Sequence, residues 1–137
     1  MSYLIDTNVI SELRRKQPDA NVVAWFERRT PQSLFLSVLT LGEIRKGIER
    51  LIDAKRRQIL VDWLQVELPT FFLGRVLSVD APVADRWGRL QGEASRPLPA
   101  IDGLLAATAL QHDLTLVTRN VKDFQDLGVN IVNPWGT

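Results

Sequence analysis

The stretch YLIDTNVI, residues 3–10, places a carboxylate between two apolar runs near the start of the chain. Its first part is typical of a buried strand, because apolar residues follow one another without interruption. Asp6, Thr7 and Asn8 then break the run before Val9 and Ile10 resume it. An aspartate here could cap a helix, but a cap accounts for Asp6 and not for the two polar residues behind it.

The rest of the chain alternates short apolar runs with longer segments of helical periodicity. Strands are predicted over residues 2–5, 34–38, 75–79, 114–118 and 129–132. Helices are predicted over residues 9–15, 19–26, 41–52, 54–68, 80–90 and 101–111, with Pro69 closing the fourth. This alternation predicts an α/β fold with a mostly parallel sheet and helices on both faces. No repeat or long linker divides the chain, so residues 1–137 are expected to form a single domain.

The composition excludes several kinds of protein and of metal site. The formal net charge of +1 excludes a polybasic binder. The chain has no cysteine and a single histidine, His112, so thiolate-ligated and histidine-rich metal sites are excluded and any metal is expected to have oxygen ligands. No apolar run reaches the roughly 18 residues of a membrane span, which predicts a cytoplasmic protein without membrane contact.

Acidic and amide side chains recur where strands are predicted to end and helices to begin. Ligand sites of open parallel sheets lie beyond the carboxyl ends of the strands, so polar residues there are candidates for a site. These residues are Asp6 after the first strand, Thr118, Asn120 and Asp123 after the fourth, and Glu43 and Asp102 near helix starts. Carboxylates packed together repel unless a cation neutralises them. Mg²⁺ and Mn²⁺ prefer carboxylate and water oxygens, so either ion suits such a cluster.

Each of these acids also has a purely structural interpretation. Thr40 and Glu43 fit a capping box, in which Glu43 would bond back to the backbone of Thr40. Asp102 opens a helix that is apolar nearly all round, and it could cap that helix. Asp123 could be a turn residue. Both interpretations stay open, because spacing alone does not show that the acids converge.

Four segments together resemble a known family. YLIDTNVISEL, SVLTLGEIRKGIERL, PAIDGLLAATAL and LVTRNVKDF, in this order and spacing, resemble the PIN-domain nucleases, and among these the VapC/FitB-type toxins of bacterial toxin–antitoxin systems. The resemblance extends from Tyr3 to about Pro134. It implies a three-layer α/β/α fold with a five-stranded sheet in the order 3-2-1-4-5. That order would place the ends of the first and fourth strands side by side.

The resemblance also implies an activity and assigns site residues. It implies an Mg²⁺- or Mn²⁺-dependent endoribonuclease. Asp6, Glu43, Asp102 and Asp123 match the catalytic and metal-binding acids, and Thr7, Thr118 and Asn120 match hydrogen-bonding groups that support them. Many relatives carry an acid at the position of Asn120, whereas this chain has an amide there. The residue that fills the fourth acidic position is therefore open between Asn120 and Asp123.

The family resemblance implies partners as well. Such toxins are typically homodimers that cleave RNA and are held inactive by a cognate antitoxin, and the toxin–antitoxin complex binds promoter DNA through the antitoxin. An apolar groove for the antitoxin could come from Trp25, Phe26, Trp63 and Leu64, although core packing explains each of them too. Basic residues within residues 14–16, 45–50 and 55–57 could form a rim for RNA or a solvated helix face.

Two other functions compete with the nuclease. A receiver-type phosphoacceptor domain also binds Mg²⁺ at strand ends, and Asp80 could be its phosphoacceptor. Asp6, however, lacks the neighbouring acid that such a pocket requires. A non-catalytic binding module, in which the acids only cap helices, is the second alternative.

Overall fold

A computed structural model describes residues 1–136 as an α/β structure built on one five-stranded sheet. The strands are β1 (Tyr3–Ile5), β2 (Leu34–Ser37), β3 (Val76–Leu77), β4 (Thr115–Val117) and β5 (Ile131–Val132). Their order across the sheet is β3-β2-β1-β4-β5, and every neighbouring pair is parallel. The predicted strand order is confirmed. It places the central strand β1 directly beside β4, with Ile5 opposite Val117.

Within residues 1–136, eight α-helices connect the strands. They are α1 (Thr7–Leu13), α2 (Ala20–Glu27), α3 (Val38–Glu49), α4 (Ala54–Asp62), α5 (Leu68–Phe71), α6 (Ala81–Glu93), α7 (Ala100–Gln111) and α8 (Val121–Phe124). A 3₁₀ turn at Pro31–Ser33 and a π-helical segment at Trp63–Glu67 complete the regular structure. Among residues 1–136, no helix has the length and apolar character that a membrane span requires.

Helices cover both faces of the sheet, as the alternation along β1 shows. Ile5 belongs to an apolar cluster with residues of α1, α2 and α3, whereas its neighbour Leu4 belongs to a second cluster with residues of α7 and α8. Both side chains are fully buried. Successive strand residues point to opposite faces, so one strand anchors both layers of helices.

The helix predicted over residues 54–68 differs from the structure in its second half. Pro69 does not end it, because the chain stays helical to Phe71. Just before the proline, the backbone hydrogen bonds change from the α-helical to the π-helical spacing. The backbone N–H of Leu68 donates to the carbonyl of Trp63, five residues earlier. A proline ring crowds the carbonyl four residues earlier and donates no hydrogen bond. The wider π-helical turn provides the room that lets the helix continue.

The short strands and helices are the least well predicted elements. The predicted third and fifth strands shrink to two residues each, and α8 and the 3₁₀ turn have no counterpart in the prediction. Helix α1 begins at Thr7, two residues earlier than expected, because Asp6 caps it. Helix α3 begins at Val38, immediately after β2.

Substitution by alanine is expected to have opposite effects on stability at two glycines. Gly103 lies in α7, and a Cβ there would be 3.0 Å from both Cδ1 and Nε1 of Trp87. Gly88 lies in α6 with open space around it. We expect Gly88→Ala to raise the free energy of unfolding by about 0.5–1 kcal/mol through helix propensity. Gly103→Ala should lower it by about 1 kcal/mol, because crowding outweighs the same gain.

Denaturant unfolding of the two variants beside the wild type measures both effects. An equal gain in stability for both variants would contradict the close approach of Gly103 in α7 to Trp87 in α6.

Candidate functional site

Asp6 is the buried carboxylate at the carboxyl end of the central strand. Its side chain is only 8% exposed. Oδ1 accepts a hydrogen bond of 2.7 Å from the backbone N–H of Thr7 and so caps α1. Oδ2 accepts one of 2.8 Å from the hydroxyl of Thr118 at the end of β4. Asp6 therefore caps a helix and also joins the ends of two adjacent strands.

Asn8 and Thr118 extend this connection. The amide of Asn8 donates to Thr118 Oγ1 and to Asp6 Oδ2, both at 3.3 Å, and its Oδ1 accepts from the backbone N–H of Arg119. Thr118 Oγ1 also accepts from the backbone N–H of Asn120 at 3.0 Å. The polar residues that interrupt the first apolar run thus fix the loop after β4.

Glu43 reaches the same place from α3. The hydroxyl of Thr7 donates to Glu43 Oε1 at 2.5 Å, and it lies 3.1 Å from the hydroxyl of the fully buried Thr40. The capping-box interpretation is wrong, because α3 begins at Val38 and its cap is Ser37, whose hydroxyl accepts from the N–H of Leu39. Glu43 therefore points to α1 and not to the start of its own helix.

Asp102 lies in the first turn of α7 and is half-buried. The capping interpretation is wrong here too, since no side-chain hydrogen bond caps this helix. Burial raises the pKa of Asp102, and repulsion from Asp123 and Glu43 raises it further, while Arg96 opposes both effects. Three acids from three different helices therefore interact.

Asp6 carries the largest pKa shift of the group. Burial raises its pKa to about 6, with smaller contributions from the charges of Glu43 and Asp102. The hydrogen bonds from Thr118 and Thr7 act in the opposite direction. Thr7, the residue next to Asp6, donates to Glu43, and the charges of Glu43 and Asp102 act on Asp6, so these carboxylates lie near one another at the carboxyl ends of β1 and β4.

The fourth acidic position lies on α8. Asp123 is exposed in this short helix, and its charge acts on Asp102. Arg96 holds the segment: it donates to the backbone carbonyl of Asp123 at 2.7 Å and forms two hydrogen bonds with Asp126. The side chain of Asn120 forms no cap on α8. Of the two residues left open for the fourth acidic position, Asp123 is the one that carries a charge, and this charge acts on Asp102.

Sequence reasoning missed three residues that organise this region. Ser37 caps α3, Thr40 meets Thr7, and Arg96 holds α8. Ser37 carried a usable signal, since serine at the end of a strand is a preferred helix cap. Arg96 carried none, because its partner Asp126 is 30 residues away along the chain.

The acidic cluster, Asp6, Glu43, Asp102 and Asp123, has the donor chemistry of a hard-cation site. Within residues 1–136 no three acidic or histidine side chains stand close enough to enclose an ion by themselves. Mg²⁺ does not require this, because it keeps several waters and binds through one or two carboxylates. A divalent cation would also offset the burial and the repulsion that raise the pKa values of Asp6 and Asp102.

The four apolar residues considered for a partner groove have different surroundings in the structure. Leu64 is buried in the core. Trp25 packs edge-on against Tyr3 with ring centres 5.0 Å apart, and Phe26 packs against Phe71. Only Trp63 lines a groove next to the acids.

Comparisons with known proteins identify the family to which this fold and site belong. The family profile described as PIN domain matches residues 3–130. The chain belongs to the PIN-domain family. It is similar to Toxin FitB of Neisseria gonorrhoeae, with 38% identity over 135 residues that cover 96% of this chain and 97% of that one. It is also 36% identical to VapC ribonuclease Y4jK of Sinorhizobium fredii, over 96% of each chain.

Solved structures agree with these sequence relatives. The crystal structure of FitAcB from Neisseria gonorrhoeae superposes with a TM-score of 0.93 at 38% identity, covering 98% of this chain and 99% of that chain. FitAB bound to an IR36 DNA fragment gives 0.92 at 36% identity, with coverage of 98% and 96%. DNA-bound VapBC from Salmonella typhimurium gives 0.77 at 25% identity, with coverage of 98% of each chain.

The raised pKa of Asp6 predicts a pH-dependent effect of neutralising it. A carboxyl whose folded-state pKa is about 6 instead of 3.8 adds stability below about pH 4, and this contribution is lost as the pH rises through 6. In metal-free protein, Asp6→Asn should therefore raise the free energy of unfolding by about 1–2 kcal/mol near pH 7.5 and by much less near pH 4. This range allows for one weakened hydrogen bond.

Thermal or denaturant unfolding with EDTA at both pH values measures the difference. The matched control is Asp53→Asn, which changes the same charge at the exposed cap of α4 and should give no such gain. A gain for Asp6→Asn that is independent of pH would contradict the burial of a charged Asp6.

Proposed function

We propose that this chain is a metal-dependent endoribonuclease that acts as the toxin of a toxin–antitoxin pair and is inhibited by its cognate antitoxin. It hydrolyses RNA phosphodiester bonds at the acidic cluster. Relatives named VapC ribonuclease and tRNA(fMet)-specific endonuclease VapC support the reaction, and the relative named Toxin FitB supports the toxin role. The chain as a whole, residues 1–137, forms one catalytic domain.

One observation carries the proposal: the carboxylates of Asp6 and Glu43 lie together at the junction of β1 and β4, because Asp6 accepts a hydrogen bond from Thr118 and the adjacent Thr7 donates one to Glu43 at 2.5 Å. Burial and the neighbouring acids raise the pKa values of Asp6 and Asp102, so the charged carboxylates destabilise the metal-free fold, and a bound cation would offset this cost. Their place, beyond the carboxyl ends of neighbouring parallel strands, is also where open α/β sheets bind ligands.

Mg²⁺ or Mn²⁺ is the expected ion. Asp6 and Asp102 would hold it, with Glu43 and Asp123 completing the site directly or through water. When bound, such an ion orients a phosphodiester, stabilises the charge that develops on it and lowers the pKa of a water. Thr118 keeps Oδ2 of Asp6 in place, and Thr7 aligns Glu43, so both hydroxyls act as positioning groups.

The partners follow from the same relationship. The structures of FitAB bound to a DNA fragment and of DNA-bound VapBC support a complex of this chain with an antitoxin that binds promoter DNA through the antitoxin. We propose that the toxin is a homodimer. We place the action of this chain in the cytoplasm, where its RNA substrate is found.

The receiver-type alternative loses support from the position of Asp80. This residue caps α6 through a 3.0 Å hydrogen bond from the N–H of Val83. It follows β3, which lies at the edge of the sheet and two strands away from β1. A phosphoacceptor would have to stand beside Asp6.

The decisive experiment compares RNA cleavage by the wild type, Asp6→Asn and Asp102→Asn, each purified free of any partner. With Mg²⁺ or Mn²⁺ the wild type should cleave, and EDTA should abolish cleavage. Each variant should lose about a thousandfold in rate, because several kcal/mol of charge stabilisation disappears. The same variants should no longer arrest growth when expressed without the antitoxin.

The control here is Asp113→Asn, which removes the same charge from an exposed residue before β4, at the opposite end of the sheet, and should cleave like the wild type. Cleavage that persists in EDTA, or in a folded Asp102→Asn protein, would overturn the assignment of the site. A wild type that cleaves no RNA with any divalent metal would favour the non-catalytic binding module.

The fourth acidic position predicts a graded effect. Asp123 is exposed, so Asp123→Asn should lower the rate by about 10- to 100-fold, less than the loss for Asp102→Asn. Asn120→Ala should leave the rate nearly unchanged, because the Asn120 side chain forms no cap and its backbone N–H, which bonds to Thr118, is retained. Initial cleavage rates at saturating metal measure both effects. A larger loss of rate for Asn120→Ala than for Asp123→Asn would assign the fourth position to Asn120.

A further inference from the structure

A polar depression adjoins the acidic cluster beyond the ends of β4 and β5. Its volume is about 430 Å³, and residues 119–123 together with Asn133 line it. Asp123 belongs to this lining, so the depression reaches the acid that we propose for the fourth position. It shares no lining residue with the groove that Trp63 lines. The depression is therefore a second surface beside the acids, built from the loop after β4 and from α8.

Two cations of this depression have no carboxylate partner. Arg119 and Lys122 are both exposed, and neither forms an ion pair within residues 1–136. Asp126, the next acid along this segment, is already paired with Arg96. Two unpaired cations that line one depression create a local positive potential, which attracts a negatively charged ligand.

Arg119 is held in place by contacts at both its backbone and its side chain. Its backbone N–H donates to Asn8 Oδ1 at 3.3 Å, and the amide of Asn8 donates to Asp6. Its guanidinium lies 5.0 Å from the centre of the Trp135 ring. A guanidinium stacked on an aromatic ring uses its face and keeps N–H groups at its edge available. This geometry suits bidentate hydrogen bonding to a phosphate.

Trp135, the ring under Arg119, is itself fixed by two other segments. Its backbone N–H donates to Asn133 Oδ1 at 3.0 Å, and its carbonyl accepts from Asn21 Nδ2 at 3.2 Å. Its side chain is half-buried and packs against the apolar cluster that contains Ile5. The aromatic support for Arg119 is thus part of the fold, which lowers the cost of ordering the arginine when a ligand binds.

We propose that Arg119, supported by Trp135 and assisted by Lys122, binds the RNA phosphate next to the scissile one. The proposal rests on the proposed ribonuclease function and assigns residues that hold the strand beside the reacting phosphate. Asn8 bonds both to Asp6 and to the backbone of Arg119, so one side chain links this phosphate contact to the acidic cluster. Contacts to phosphates position a strand without reading its bases, so the contact is independent of sequence.

A nucleic acid strand fits this surface better than an acidic peptide. The proposed reaction brings one phosphate to the acids, and the strand carries another phosphate one nucleotide further on. The acidic cluster and the neighbouring cations then each contact their own part of the same ligand. An acidic peptide would also pair with the cations, but it would bring further carboxylates towards the acidic cluster, and like charges repel.

The first test measures binding of a short single-stranded RNA to protein that carries Asp102→Asn, so that cleavage does not interfere. Adding Arg119→Ala should raise the Kd roughly tenfold at about 0.15 M salt, equally for oligo-U and oligo-A. The slope of log affinity against log salt should fall by about 0.7. Arg119→Lys should restore the slope but only part of the affinity, because an ammonium lacks the planar fork. Lys122→Ala should raise the Kd by a smaller factor, roughly threefold.

The matched control is Arg89→Ala, which removes the same charge from α6. Arg89 lines a depression with Leu110, near the end of α7, whereas Asp102 lies in the first turn of that helix. This variant should change neither the Kd nor the salt slope. A loss for Arg119→Ala that differs between oligo-U and oligo-A would contradict a phosphate contact.

The second test locates the contact on the substrate of the active enzyme. A methylphosphonate replaces a charged phosphate by a neutral group, and two substrates carry it at the phosphate before or after the cut. With the wild type, one of these substrates should lose roughly tenfold in kcat/KM, mostly through KM, because the group takes no part in the reaction. With Arg119→Ala the same replacement should cost little, because the phosphate has already lost its partner. Equal losses with both enzymes would overturn the proposal.

Trp135 tests the stacked support. Trp135→Leu should raise the Kd roughly threefold, and it should have no further effect when Arg119→Ala is already present. Trp135→Phe should keep most of the affinity, because it retains an aromatic face. If Trp135→Leu fails to fold, the variants of the exposed Arg119 still decide the proposal.

The outcomes separate this proposal from the ribonuclease itself. If the wild type cleaves RNA but Arg119→Ala binds and cleaves like Arg89→Ala, the phosphate contact is wrong and the nuclease stands. If Arg119→Ala keeps full RNA affinity but escapes inhibition by the antitoxin, the surface belongs to the protein partner and the proposal is overturned. A wild type that cleaves no RNA with any divalent metal would remove the proposed function, and this proposal with it.

Discussion

The hydrogen bond from the hydroxyl of Thr118 to Asp6 Oδ2 connects the ends of the two central strands. It is buried, and it joins residues 112 positions apart. Asp6 simultaneously caps α1 and Asn8 bonds to Thr118, so the same few atoms set where α1 begins and where the loop after β4 runs. The charges of Glu43 on α3 and Asp102 on α7 then act on a carboxylate whose orientation is fixed. A strong hydrogen bond to a charged group in a buried place is suited to this role.

This arrangement costs stability. Burial raises the pKa of Asp6 to about 6, and the charges of Glu43 and Asp102 add to the shift. The remainder of the fold must offset this, and the two apolar clusters on either side of β1 are the available source. The central strand thus serves two purposes: Leu4 and Ile5 hold the layers together, and the next residue carries an unfavourable charge. A buried carboxylate with a raised pKa, which costs stability, is typical of functional sites.

The sequence predicts the parts of the structure that depend on local pattern. Alternation of strands and helices gave the α/β class, and the interruption of the first apolar run marked Asp6 correctly as the end of a strand. The family resemblance supplied the strand order. The π-helical turn at Trp63–Glu67 was not predictable from periodicity, because it arises from the crowding around Pro69. Convergence of the acids was also out of reach, since it depends on contacts such as Thr7 with Glu43, 36 residues apart.

Arg96 has a consequence for how the site can vary. Asp123, the acid that we propose for the fourth position, does not follow the strand directly. It lies on the four-residue helix α8, where its backbone carbonyl accepts a hydrogen bond from Arg96. Arg96 itself lies in the loop before α7, the helix that carries Asp102. One guanidinium therefore contacts the backbone of Asp123 and also acts on the charge of Asp102. Changes in the segment around residues 94–99 would tune the affinity of the site for a cation without altering any of its carboxylates.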